Sequence, residues 1–257
     1  MSSSPCPERS RAFTLIEVMV VIVILTLLLS GIALPLAAQL QMRRGEETRR
    51  ALAEAREAIL GFAAAHGRLP CPASESSAGE ESFAPGGDAS NGACSHFYGG
   101  YLPGATLGLS PLDSQGFVRD AWGSPANRVR YAVFGGGFSV GGVANPLTRG
   151  GGMRTATLPA LGAAPHYLYI CSTGASASAS GCGPAANQLT RRAAFVLLSL
   201  GANAGSTPAA GSDEARNLAA TPVFVYREPS GDGFDDVVHW APVHLVVNRL
   251  LSAGLLP

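Results

Sequence analysis

Three aspartates crowd one short segment: Asp232, Asp235 and Asp236 flank Gly233 in the run SGDGFDDVVHW. Calcium takes several hard oxygens from a loop that can turn sharply, and this composition suits it. The segment lacks the full spacing and closing glutamate of an EF-hand, and an acidic turn capping a strand would have the same composition. A second pattern, Gly137-Phe138-Ser139-Val140-Gly141, matches the G-x-S-x-G elbow that holds a nucleophilic serine between a strand and a helix. The stretch after it, GVANPLTRGGG, reads as loop, and no acid-then-histidine order can be tied to a motif. A flexible glycine-rich loop is the better reading. No G-x-x-x-x-G-K-[ST] and no H-E-x-x-H run occurs, so nucleotide and zinc-protease chemistry lose their usual signals. The expectation is a protein that is not an enzyme.

Cysteines give the next constraint. Cys6 precedes the first apolar segment, and Cys71, Cys94, Cys171 and Cys182 follow it as an even set. In an exported domain such a set reads as disulfides; in the cytosol it would read as metal or redox work. Cys71 and Cys94 bracket a Ser/Gly/Pro-rich loop, and Cys171 and Cys182 bracket STGASASASG. Sequential pairing is therefore expected among the three connectivities open to four cysteines, each crosslink being worth typically about 2 to 4 kcal/mol. Wide spacing and the lack of C-x-x-C speak against zinc.

Glu17 is the residue that a plain anchor explains worst. No charge occurs from Val18 to Leu40, a run long enough to cross a hydrocarbon layer as a helix. A carboxylate within such a helix costs roughly 2.5 to 3.5 kcal/mol unless it has a partner or sits at headgroup level. A short polar stretch with Arg9 and Arg11 lies ahead of the run, and the small residue Ala12 comes before the apolar segment. An ordinary signal peptide has its small residues after that segment.

Phe13-Thr14-Leu15-Ile16-Glu17 resembles the prepilin processing motif of type IV pilins and type II secretion pseudopilins. The resemblance implies that prepilin peptidase cuts between Ala12 and Phe13 and methylates the new amine. It also implies that Glu17 pairs with the α-amine of a neighbouring subunit. The family usually has glycine at the place of Ala12. Asp120-Ala121-Trp122-Gly123-Ser124-Pro125 looks like the D-P-W-G-x-P turn of major pseudopilins. SLGAN at 199–203 and SGDGFDDVVHW at 230–240 look like that family's calcium loop, split by an insert.

The elements that must carry these residues follow from periodicity. Leu52, Ala55, Ile59, Phe62 and His66 recur at helical steps, forming a stripe that can pack on a domain. A helix from Phe13 to about His66 would be on the order of 80 Å long, with a kink or melted turn at Pro35, and Gly67 and Pro70 to end it. Strands are expected at Arg130–Phe134, Tyr167–Cys171, Ala193–Leu200 and Val223–Tyr226, with a short terminal helix from Val243 that stops at Gly254. The expected fold is α+β: a long N-terminal hydrophobic helix on a small antiparallel sheet with long disulfide-stapled loops. Its parts are a leader (1–12), a membrane or fibre-core helix (13–40), an amphipathic continuation (41–66) and an extracytoplasmic globular domain (67–257).

The function so implied is that of a structural subunit of a type II secretion pseudopilus or type IV pilus-like fibre. Its partners would be other pilin-like subunits, prepilin peptidase and the inner-membrane assembly platform. The domain would stand in the bacterial periplasm until assembly. Arg43, Arg44, Arg49 and Arg50 outnumber the leader arginines and would favour the opposite topology by charge alone; the leader motif and the cysteines outweigh that count. The alternatives are a pilus-associated binding subunit, adhesive or DNA-capturing, and a membrane-anchored hydrolase. Without Glu8, Arg9 and Arg11 the chain holds 16 basic residues, all arginine, and 17 acidic ones. That balance gives no broad field for nucleic acid, and Arg191 with Arg192 is the one obvious outer basic patch.

Overall fold

The computed structural model describes residues 14–229 and 233–256, with side chains described except at 28–37. The chain divides into two units, Met1–Arg44 and Gly45–Pro257. Helix α1 covers Leu15–His66 and starts where the sequence supplies a cap. The Glu17 N–H donates to Thr14 Oγ1 at 3.3 Å, which makes Thr14 the N-cap and puts Glu17 at the third helical position, where a capping-box acid stands.

In the first unit the described apolar side chains are open to solvent, with Leu15 at 85 % and Met19 at 64 % exposure. Among the described residues no helix is long and apolar enough to cross a membrane. Side chains 28–37 of the apolar run lie outside those described. Helix α1 runs on through Pro35; proline removes one hydrogen bond of the ladder and leaves the flanking ones.

In the second unit the rest of α1 buries Thr48, Leu52, Ala55, Ile59, Leu60 and Ala63. The expected stripe drifts at its end. A step of four from Ile59 brings Ala63 to the core, while Phe62 and His66 fall to its rim and stack with ring centroids 4.0 Å apart. Gly67, at φ +67°, donates its N–H to the Ala63 carbonyl at 2.8 Å and stops the helix by a left-handed cap.

The remaining elements, in order, are β1 (Gly100–Tyr101), α2 (Gly104–Leu107), β2 (Arg130–Val133), β3 (Ser139–Val140), β4 (Val143–Ala144), α3 (Gly152–Ala156) and α4 (Leu158–Ala163). They continue with β5 (Leu168–Cys171), β6 (Gln188–Ser199), α5 (Asp213–Asn217), β7 (Val223–Val225), β8 (Val237–Pro242) and α6 (Val243–Ser252). Strand β6 is the spine of the sheet. It pairs antiparallel with β2, β5 and β8, and β1 extends the sheet beyond β2. Residues 193–200 are buried without alternation, so both faces of that half of β6 are covered. Helix α6 packs on β6 and β8 and ends in a Schellman motif: Gly254 donates to Leu251 at 3.0 Å and Leu255 to Leu250 at 3.0 Å.

The expected antiparallel sheet needs one correction, because β7 pairs parallel to β5. The long stretch between them, which contains β6 and α5, gives the chain room to return in the same direction. Strand β8 was not expected, because its segment reads as the end of an acidic loop.

Both expected disulfides are formed, Cys71–Cys94 and Cys171–Cys182, with Cα atoms 5.3 and 5.4 Å apart. The first loop is more than a stapled coil. The Arg68 guanidinium makes a two-pronged ion pair with Glu81 at 2.7 and 2.6 Å, and the Cys71 N–H donates to the same carboxylate at 3.1 Å. Arg68 also lies over the rings of Phe62 at 5.1 Å and Phe83 at 5.7 Å, so the loop is clamped to the end of α1.

A second loop is tied by Asp113, which accepts the N–H groups of Gln115 and Phe117 at 2.9 Å each, and the Nε–H groups of Arg119 at 3.3 Å and Arg128 at 2.9 Å. Burial works to raise its pKa, but these donors outweigh it and hold the carboxyl at about 2. A depressed carboxylate stabilises the fold above its unfolded pKa, and that stability is lost as pH falls toward the folded value. Urea midpoints of wild type and Asp113→Asn should therefore differ by a constant amount above pH about 5 and converge as pH falls toward about 2. A gap that does not change over that window would contradict this.

Candidate functional site

Of the three aspartates singled out in the sequence, Asp232 lies outside the described residues. Asp235 and Asp236 stand at the approach to β8, and the fold adds a third acid, Glu214 of α5. One carboxylate oxygen from each lies within 4.8 Å of the others. Glu214 comes from the insert that separates SLGAN from the aspartate segment, so the apparent interruption of the motif supplies part of the cluster. Ser212 caps α5, its side chain accepting the Ala215 N–H at 3.1 Å, and this fixes the direction of Glu214.

Loop 199–203 holds the acids from the other side. Asp235 Oδ2 accepts the N–H groups of Ala202 at 2.7 Å and Asn203 at 3.1 Å. The Asn203 side-chain amide donates to Glu214 at 2.8 Å and to the Gly233 carbonyl at 3.0 Å. Position 201 needs glycine on two counts: its φ is +66°, and a Cβ there would lie 2.5 Å from the Asp235 carboxylate. Asp236 is buried, with Asn217 donating to its Oδ2 at 2.7 Å.

The electrostatics of this arrangement are unfavourable to the bare acids. Burial pushes Asp236 up to about 7 against the hydrogen bond from Asn217, and the charges of Glu214 and Asp235 push the same way. Burial likewise raises Asp235, against its two backbone hydrogen bonds. Asp235 Oδ1 is buried and has no hydrogen-bond partner among the described residues. Three hard carboxylates with one orphaned oxygen are the donor chemistry a calcium ion takes. An open cleft of about 460 Å³ is lined in part by Asn203, Glu214 and Gly233, so Glu214 is the member of the cluster that borders it.

The turn at 120–125 is joined to this site. Asp120, buried, accepts from Ser199 Oγ at 2.5 Å and from the Asn127 amide at 3.0 Å, and the same amide reaches the Gly201 carbonyl at 2.5 Å. Thr48 of α1 accepts the Ala121 N–H at 3.2 Å. The two outer segments singled out in the sequence are thus hydrogen-bonded to each other. The sequence carries no periodic signal for that contact.

Ser139 lies in β3, paired with Ala144 of the hairpin strand β4. A tight reversal follows it instead of a helix, so the elbow that the G-x-S-x-G pattern requires is not formed. The Arg191–Arg192 patch divides: Arg192 donates to the Ala164 carbonyl at 2.6 Å and lies over the Tyr167 ring at 5.4 Å, and of the two only Arg191 is exposed.

At the other end of the chain, Ala12 and Phe13 lie outside the described residues, and Glu17 is in the first turn of α1. An α+β unit led by a capped helix with an acid in its first turn is the setting in which the N-terminal sequence is to be read. Residues 8–33 match the prokaryotic N-terminal methylation motif. The chain therefore carries the prepilin-type motif of the pilin and pseudopilin families. No curated protein and no solved structure matches the chain.

Proposed function

We propose that this protein is a structural subunit of a type II secretion pseudopilus or a related type IV pilus-like fibre. The observation that carries the reading is the methylation motif at residues 8–33 placed on a helix that begins at Leu15. Prepilin peptidase removes residues 1–12 and methylates Phe13. The apolar run 18–40 anchors the chain in the inner membrane, with the globular unit in the periplasm, and then enters the fibre through the assembly platform. N-terminal sequencing and mass of the protein from its native membrane test this directly. A methylated Phe13 is expected, and an intact Met1 would overturn the reading.

The pseudopilin form is supported by the hydrogen-bonded pair of outer segments and the acidic cluster. Glu214, Asp235 and Asp236 would hold a calcium ion, which supplies positive charge to three crowded carboxylates and locks α5 against the loop before β8. A ligand that binds only the folded state at a hundredfold excess over its Kd stabilises it by roughly 2.7 kcal/mol. Calcium should raise the thermal midpoint of the wild type accordingly and leave Glu214→Gln and Asp236→Asn unmoved. A midpoint indifferent to calcium would remove the ion from this site.

A further inference from the structure

We propose that the cleft between the first disulfide loop and the β1–β2 edge of the sheet binds a carboxylate-bearing sugar, a uronic acid unit, and that Arg130 takes its carboxylate. The site adds a ligand to the fibre reading above and does not depend on it.

The cleft has a volume of about 390 Å³ and is lined by Ser74, Glu75, Ser76, His96, Tyr101 and Arg130 among others. That is the size of a small-molecule pocket. The first disulfide builds its walls, since residues 73–76 follow Cys71 and His96 follows Cys94. Ala73 and Tyr101 exchange backbone hydrogen bonds at 2.8 and 2.9 Å, and the Ser74 carbonyl accepts from the Ser77 hydroxyl at 3.0 Å. The walls are therefore held by the protein itself.

Arg130 stands opposite Tyr101 in the β1–β2 register, and its guanidinium lies over that ring at 5.0 Å. It is half-buried, and its Nε–H is buried without an acceptor. Among the described residues its side chain makes no hydrogen bond and no ion pair; Asp236 feels its charge only at longer range. Every other described arginine that is not exposed has an acceptor, as Arg68 has in Glu81, Arg128 in Asp113 and Arg216 in the Ala177 carbonyl. A guanidinium withdrawn from water and left unpaired costs free energy, and its planar fork matches a carboxylate.

The rest of the lining selects what carries that carboxylate. Glu75 is the one acid there, and its Oε1 accepts from the Tyr101 hydroxyl at 3.3 Å. It would repel a compact inorganic anion. A sugar acid holds its single charge at one end and hydroxyls elsewhere, so with the carboxylate on Arg130 its hydroxyls can donate to Glu75 and exchange hydrogen bonds with Ser74, Ser76 and His96.

The test is calorimetric titration of the full-length chain, extracted in a detergent without a sugar headgroup, with glucuronate, glucose and acetate. Glucose lacks the carboxylate, and acetate has nothing else. Glucuronate should bind roughly ten- to hundredfold more tightly than either. Arg130→Gln should bring glucuronate down to the level of glucose, and Arg130→Lys, which keeps the charge without the fork, should fall between. Unchanged melting temperatures confirm that the variants fold. Equal binding of glucuronate and glucose to the wild type would overturn the proposal, as would a preference that survives Arg130→Gln. Acetate binding as well as glucuronate would remove the sugar from the site, and so would tighter binding of alanine, whose ammonium would seek Glu75.

Discussion

Glu17→Ala is expected to leave the chain in the membrane and to lower its recovery in fibres by roughly two to three orders of magnitude. In the proposed assembly Glu17 meets the methylated amine of a neighbour in apolar surroundings. Removing one partner of such a pair leaves the other charge uncompensated, at roughly 3 to 5 kcal/mol. The structure supplies a competing role, because the Glu17 N–H is capped by Thr14 and its side chain occupies the capping-box position. Loss of a cap costs typically about 1 kcal/mol. Glutamine separates the two roles, since it serves in a capping box but carries no charge. Glu17→Gln should fail to assemble much as alanine does. If glutamine supports normal fibres, the acid acts as a helix cap and the inter-subunit pair is wrong.

Glu81→Ala should be the most damaging of the substitutions considered in the globular unit. The ion pair with Arg68 leaves the two side chains only 15 % and 7 % exposed, and truncating one member of a buried pair costs roughly 3 to 5 kcal/mol. The Cys71 N–H loses its acceptor in the same substitution. Arg68→Met combined with Glu81→Leu removes both charges and should recover much of the loss, but not the part that belongs to that N–H, about 1 to 3 kcal/mol. Urea unfolding of the wild type, Arg68→Met, Glu81→Leu and the double variant as a double-mutant cycle measures this. A single Glu81→Ala loss under 1 kcal/mol would show that the clamp does not hold the loop.

The parts of the fold that were readable in the sequence are those with a local signal. Leu52, Ala55 and Ile59 were found by helical spacing, the disulfides by the loops that they bracket, and α6 by its apolar steps and Gly254. The polar start of β6 was missed because Gln188 to Arg192 is partly open to water and lacks the apolar run of Ala193 to Leu200. Phe62 and His66 were assigned to the core because a strict repeat of three and four ignores the drift that brings Ala63 inward. Of the candidate site, Asp235 and Asp236 were legible as a cluster in sequence. Glu214, Gly201 and Asn217 were not, since they come from segments far apart in the chain and only the fold brings them together.

Asn217 has a consequence of a different kind. Its side chain accepts the Val225 N–H at 2.7 Å and donates to the Val225 carbonyl at 3.1 Å, so the outward backbone groups of the last residue of β7 are taken by an amide that imitates a strand. An open edge is a template for pairing with any other strand it meets. In a protein concentrated side by side along a fibre, that would invite sheets to fuse at random. A single asparagine occupies the Val225 end of this edge, and in the proposed fibre it would keep a neighbour's strand from pairing there.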